Sequence, residues 1–201
     1  MIKDKKESRR QFLNHSFLFS ILSFLSFPTI LNAMSSKDFY PKGIIIHSMA
    51  EYVVCKNKII KAKDFLIKSK LSVHALINYE GEVEFMIPSS EKGIHAGKSQ
   101  HKSLINLNQY YLGIELLIKG EHNYESFKNE ITLKNPYSDI QLISAAKLCI
   151  NWMNSYDINI NNIVKHSEVS SDKIRGNGKG KIDPGKLDWN KFMYYINYYN
   201  K

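Results

Sequence analysis

With 201 residues, the chain is long enough for one domain of ordinary size with a full core and something extra. Its 28 Lys and Arg against 19 Asp and Glu give a formal net charge of +9. The lysines are evenly spread with no aromatic-basic cluster, which argues against a dedicated nucleic-acid groove and fits attraction to an anionic polymer. Two cysteines, Cys55 and Cys149, are too few for a disulfide scaffold or a thiolate zinc site. Pairing in an oxidising compartment is open to them, but the pattern around Cys149 favours a buried thiol on a helix.

The extra piece is at the N-terminus. "MIKDKKESRRQFL" (1–13) is basic, and "SFLFSILSFLSFPTILNA" (16–33) is apolar and serine-rich. A charged region, an apolar region and a small residue at a cleavage point predict an export signal over residues 1–33. The apolar run is broken at Pro28 and is short for a spanning helix, which needs about 20 apolar residues. "SRRQFL" fits the twin-arginine pattern, with the periplasm as destination. Leu31 is large for the position two before Ala33, which leaves an uncleaved anchor open as the chain's only membrane contact. No cysteine lies near the segment to carry a lipid. Residues 1–33 hold five Lys/Arg and two Asp/Glu, so +6 of the net charge stays on residues 34–201.

The remaining elements follow in chain order. "GIIIH" (43–47) is a short continuous apolar run and predicts a buried strand. "KIIKAKDFLIKSK" (58–70) has apolar residues at helical spacing and predicts a helix with a basic face. "VHALINYEGEVEFMI" (73–87) alternates on either side of Glu80-Gly81 and predicts a hairpin. "YLGIELLI" (111–118) predicts a second buried strand. Ser138 with Gln141 three residues on is a capping box for "DIQLISAAKLCINWMNSY", the longest predicted helix. "NIVKH" (162–166) leads into a polar glycine-rich loop, and "DWNKFMYYINYY" predicts an aromatic amphipathic helix. No internal repeat is visible. The expected class is α/β: a single domain over residues 34–201 with a central mixed sheet flanked by helices.

Four of the seven histidines, His47, His74, His95 and His166, fall at element ends or in loops. No pair has the i, i+4 spacing of a helical zinc motif, so a metal site would have to gather ligands from distant segments. Asp183 lies in "GKIDPG" (180–185), directly after the glycine-rich "RGNGKGK". A surface turn explains that fragment as well as a carboxylate held still for a metal, and the fragment alone leaves both open. Glu115 is a carboxylate in an apolar strand, costly to bury without a partner or a task.

Taken in order, "GIIIHSM", "LSVHALINYEGEVEFMIPSSEKGIHAGKSQH", "NLNQYYLGIELL", "YSDIQLISAAKLCINWM", "IVKHSEVSSDKIRGNGKGKIDPG" and the closing "DW" resemble the successive motifs of the type 2 N-acetylmuramoyl-L-alanine amidases. The branch most resembled is that of the anhydromuropeptide-recycling amidase and its exported relatives. The resemblance implies one zinc per chain, held by His47, His166 and Asp183 in a cleft at the strand ends and loops. It implies Glu115 as general base and then acid, and Lys181 facing the developing oxyanion. His74 and His95 are expected on the pocket wall or behind the ligands, Asn108 matches a motif asparagine of no assigned role, and all three are candidate substrate contacts. The implied partner is peptidoglycan or a muropeptide, the implied form a monomer, and no nucleic acid is expected. The phage-type branch has a tyrosine where this chain has Val73, which leaves proton transfer to Glu115. The recycling enzymes usually carry tryptophan where "IHAG" has isoleucine, and the stretch from His166 to Asp183 is longer than usual in that branch. A recognition protein of the same fold that had lost catalysis would be marked by a missing ligand, whereas here the three ligands, the glutamate and the lysine are all present. A zinc hydrolase of another amide is separated from this reading only by a substrate panel.

Overall fold

The computed structural model describes residues 39–201, so the export-signal reading of residues 1–33 lies outside the described residues. In chain order the elements begin with β1 (Gly43–Cys55), β2 (Lys58–Lys61), α1 (Ala62–Lys68), β3 (Ala75–Ile77), β4 (Val83–Phe85), β5 (Gln100–His101) and β6 (Leu104–Ile105). They continue with β7 (Tyr111–His122), α2 (Tyr124–Leu133), α3 (Asp139–Tyr156), β8 (Ile163–Lys165), α4 (His166–Val169), α5 (Asp172–Arg175) and α6 (Trp189–Tyr199).

β1 is the spine of a six-stranded mixed sheet in the order β2-β1-β7-β3-β4, with β8 also on β1. Its first half runs parallel to β7 on one edge and to β8 on the other. A strand enclosed this way has no wet side, which is why "GIII" reads as one apolar block. Side chains still alternate. Ile44 and Ile46 enter the main core with Leu112, Ile114 and Leu116 of β7, whereas Ile45 joins a second cluster with Tyr111 and Val164. Each such fully buried isoleucine or leucine contributes about 1.5–3 kcal/mol. The main core is covered by α3 and α6, and the opposite face by α1 through Ala62 and Leu66.

Two expectations are corrected here. β1 does not end near His47 but continues to Cys55, and residues 58–61 are a strand rather than the start of a helix. Lys56 and Asn57 take positive φ (48° and 60°) and turn the chain in two residues, so that Val53 pairs with Ile60 and Val54 with Ile59. The branched pairs "VV" and "II" around "KN" are a hairpin signal that outweighs the helical spacing. The predicted hairpin at Glu80-Gly81 forms, with Ala75 opposite Phe85. α2 was not anticipated, although Asn123 caps it by accepting from Ser126 N at 2.9 Å.

The capping box at α3 is only half made. Ser138 Oγ accepts from Gln141 N at 3.2 Å. The Gln141 side chain turns instead to the sheet, where Nε2 donates to Ile77 O (2.9 Å) and Leu117 O (3.0 Å). A buried amide thus stitches the helix to β3 and β7. Asp188 caps α6, whose Phe192 and Ile196 are fully buried. Cys149 is buried in the main core and Cys55 is exposed at the end of β1; both thiols are free. Among the described residues no helix is long and apolar enough to cross a membrane.

Candidate active site

The sheet register makes the first pair of the site. His47 lies directly opposite Glu115 on parallel neighbours β1 and β7, so both side chains leave the same face, away from α3. β8 ends at Lys165, and His166 opens α4 at the end of that strand. Asp183 arrives from the glycine-rich stretch, and its turn is pinned on three sides. Ser167 N donates to Asp183 O (2.8 Å), Tyr137 Oη to Pro184 O (2.7 Å), and Lys186 N to Ile131 O at the end of α2 (2.7 Å). Gly185 has φ +58°, and a Cβ there would lie 2.1 Å from Ile131 O, so only glycine permits this approach. The Pro-Gly pair aims a carboxylate.

One ligand atom from each of His47, His166 and Asp183 lies within 4.8 Å of the others. Their orientation is fixed from behind by hydrogen bonds to groups with only one possible role. Tyr111 O can only accept, so His95 Nε2–H donates to it (3.1 Å). Burial, then neighbouring His47 and His74, hold His95 well below the usual imidazole range, so it is neutral and its Nδ1 accepts from His47 Nε2–H (2.9 Å). His47 itself is lowered to about 4 by burial and by His166, leaving Nδ1 as a bare lone pair 3.5 Å from Asp183 Oδ2. His166 Nε2 donates to Ala96 O (3.3 Å), and its Nδ1 lies 2.9 Å from Asp183 Oδ2. Burial works to raise the Asp183 carboxyl, but His166 and His47 pull it well below the carboxylate range, so it is ionised. Two imidazole lone pairs and one carboxylate oxygen converge, and such a set repels itself unless a cation or an extra proton lies among them. Two imidazoles and one carboxylate, each held from behind, fit a catalytic zinc, which takes three protein ligands and keeps one place open.

Glu115 is 8% exposed, and its Oε2 is buried with no hydrogen-bond partner. Burial, then the charge of Asp183, pushes its carboxyl well above the ordinary range, with Lys181 opposing them. Lys181 is exposed on the wall of the same cleft, a cavity of about 370 Å³ that also reaches His47, His166 and Asp183. A raised carboxyl, an ammonium and a metal-type ligand set around one cavity can move a proton and stabilise negative charge.

The other predicted contacts divide. His95 borders the cleft, but both its nitrogens are engaged, by Tyr111 O and by His47, so it acts behind the ligands. His74 does not reach the cleft. It is fully buried, accepts from Gly113 N (2.9 Å), donates to Glu91 O (2.9 Å), and is lowered to about 4 by burial. Asn108 also turns away from substrate, its Oδ1 accepting from His95 N (3.1 Å) and Ala96 N (2.7 Å). Both residues hold the loop that carries His95. Three features escaped the sequence: the Tyr137 brace, the strand glycine Gly113, where a Cβ would lie 2.8 Å from the His95 ring, and the apolar wall of Leu71, Tyr124 and Phe127. Only Gly113, a glycine inside a strand pattern, carried a signal of close approach.

Comparison with known proteins agrees with this fold. The amidase AmpD of Enterobacter cloacae, a 1,6-anhydro-N-acetylmuramyl-L-alanine amidase, is 28% identical over 123 residues, covering 61% of this chain and 55% of the relative. The Haemophilus influenzae protein of the same name is 28% identical over 130 residues, covering 64% and 60%. The chain thus spans little more than half the length of the curated relatives it matches. The fold matches the crystal structure of a selenomethionine AmpD derivative (TM-score 0.58, 20% identity, 78% of this chain and 85% of that one). It also matches AmiD of E. coli, solved with the substrate anhydro-N-acetylmuramic acid-L-Ala-D-gamma-Glu-L-Lys (TM-score 0.54, 21% identity, 77% and 57%). Residues 37–186 match the family model described as N-acetylmuramoyl-L-alanine amidase, and the chain belongs to that family.

Proposed function

We propose that the protein is a zinc-dependent hydrolase of the amide between the lactyl group of N-acetylmuramic acid and the L-alanine of the stem peptide. The observation that carries this reading is the unpartnered Glu115 Oε2 at the same cavity as the convergent His47, His166 and Asp183. Zinc on those three ligands would supply a Lewis acid at the scissile carbonyl and lower the pKa of water. Glu115 takes the proton of the attacking water and returns it to the leaving amine; burial raises its carboxyl, so it holds a proton more readily than an exposed glutamate. The Lys181 ammonium faces the oxyanion as negative charge develops. The substrate class is the muropeptide named for AmiD, a muramoyl sugar carrying L-Ala and a γ-linked glutamate. Export through residues 1–33 by the twin-arginine route would deliver the enzyme to the periplasm, where such material lies; Arg9-Arg10 and the apolar segment support it.

Digestion of purified wall fragments by the zinc-loaded protein, with mass analysis of the products, tests the reading. Free stem peptides beginning at L-alanine and peptide-free muramoyl sugars are expected. Uncut fragments, or cuts confined to bonds within the peptide, would overturn it.

A further inference from the structure

The two walls of the cleft differ in character. One side presents Leu71, Tyr124 and Phe127; the other presents Arg175, Lys179 and Lys181, all contributed by residues 175–181. Among the described residues neither Lys179 nor Lys181 forms a salt bridge, and of the two only Lys181 acts on a carboxyl of the cavity, that of Glu115. Asp172 Oδ1 accepts from Gly180 N at 2.6 Å, and Glu168 pairs with Lys165 at 3.1 Å.

A solvated lysine on a loose loop would explain one such residue, but this loop is built in place. Lys181 N donates to Ser170 O (2.9 Å) and Lys179 N to Gly176 O (3.0 Å). Gly180 packs so closely that a Cβ would lie 2.6 Å from Asp172 N. Arg175 ties the loop to the opposite strand of chain, its Nε donating to Lys179 O (3.0 Å) and its Nη1 to Lys98 O (3.1 Å). Its Nη2 keeps no protein acceptor among the described residues. The loop backbone and the Arg175 guanidinium are therefore held in place beside the cavity, with the exposed Lys179 next to them, an arrangement suited to an anion.

We propose that Lys179 and Arg175 form a subsite for a free carboxylate of the stem peptide, an inference that rests on the amidase reading. A γ-linked glutamate leaves its α-carboxylate free about two residues beyond the scissile amide, roughly 7 Å at ~3.5 Å per extended residue. Lys179 lies four residues before Asp183 (183 − 179 = 4) on the same loop and lines the same cavity. The C-terminal carboxylate of the peptide offers the same chemistry one residue further on.

The test uses the zinc-loaded protein, the Lys179→Gln variant and three synthetic muramoyl tripeptides: the free acid, the glutamate α-amide and the C-terminal amide. For the parent, KM should rise about three- to tenfold on whichever amide removes the bound carboxylate, the worth of one partly exposed charge-assisted contact, with kcat within about twofold. Lys179→Gln should show that rise on the free acid and no further rise on the same amide, and the difference should shrink in high salt. Equal KM for the parent on all three substrates, or a Lys179→Gln penalty that is the same on acid and amides, would overturn the subsite and leave the amidase reading standing. A parent that cuts none of the three overturns the amidase reading and the subsite with it.

Discussion

Glu115 sits where a carboxylate is most costly, buried in a strand with one oxygen unpartnered. Glu115→Gln keeps shape and burial but cannot accept a proton. Turnover per zinc-loaded molecule should fall about 10²–10⁴-fold with zinc content unchanged; activity within about threefold of the parent would reject it as the base. Stability gives an independent reading. Because its folded pKa is raised, the parent's stabilising share from Glu115 is complete below the ordinary carboxyl value and lost as pH rises. Metal-free Glu115→Gln should therefore melt above the metal-free parent at pH 7 and not at pH 4, measured by thermal unfolding. Asp183 answers to a different measurement. Asp183→Ala leaves two protein ligands, too few to hold the ion against water, and elemental analysis should find the purified variant nearly free of zinc. Full occupancy would remove Asp183 from the ligand set.

At the scale of elements, the turn after Asp183 is the joint between α2 and the site. Gly185→Ala places a Cβ 2.1 Å from Ile131 O at a backbone angle of +58°, so the turn must shift and take the carboxylate with it. We expect a loss of about 2–4 kcal/mol in denaturant unfolding together with weaker zinc retention against a chelator. Normal zinc retention in a destabilised variant would separate the turn from the aim of Asp183. This joint also shows what the sequence could convey. "DPG" is legible as a rigid turn, but its purpose depends on Ile131 and Tyr137, which are distant in the chain and carry no local mark. "GIIIH" and "YLGIELL" were legible as buried strands because both faces are apolar. Their register, which puts His47 opposite Glu115, was not, since parallel pairing is set by crossovers rather than by neighbouring residues. Residues 58–61 misled because Ile59 and Ile60 satisfy helical and strand spacing alike, and only the Lys56-Asn57 turn decides.

For the whole molecule, acidity should matter before the carboxylates titrate. His47 and His74 are both lowered to about 4, chiefly by burial, so each contributes stability that is complete above the ordinary histidine value of 6.5 and lost as pH falls toward 4. For fully buried His74 the share is on the order of 3 kcal/mol. This loss between pH 6.5 and 4 runs against the opposite trend of Glu115, so the comparison decides: metal-free His74→Gln, though less stable at pH 7, should lose less unfolding free energy over that range than the parent. Delivery is a separate matter. With Arg9 and Arg10 both changed to Lys, a twin-arginine route should fail, because that receptor reads the pair rather than its charge. Unchanged periplasmic recovery of the double variant would assign the signal to the general secretory route. The family motifs named His47, Glu115, His166, Lys181 and Asp183, and the structure brings these five to one cavity. As candidate substrate contacts His74 and Asn108 turn the other way, His74 behind the site and Asn108 onto the His95 loop, because a motif records that a residue is needed, not which way it faces.

The imidazole pair behind the site ends on the carbonyl of Tyr111, a backbone group with no proton to give and no means of keeping one. The pair is therefore a blind alley for proton traffic. It cannot ferry a proton from the cleft to solvent, as a chain of histidines ending on a carboxylate or a water file could. In the proposed reaction, a proton taken up by Glu115 has no exit through the ring it shares a register with, so its way out lies through the cleft where the leaving amine forms.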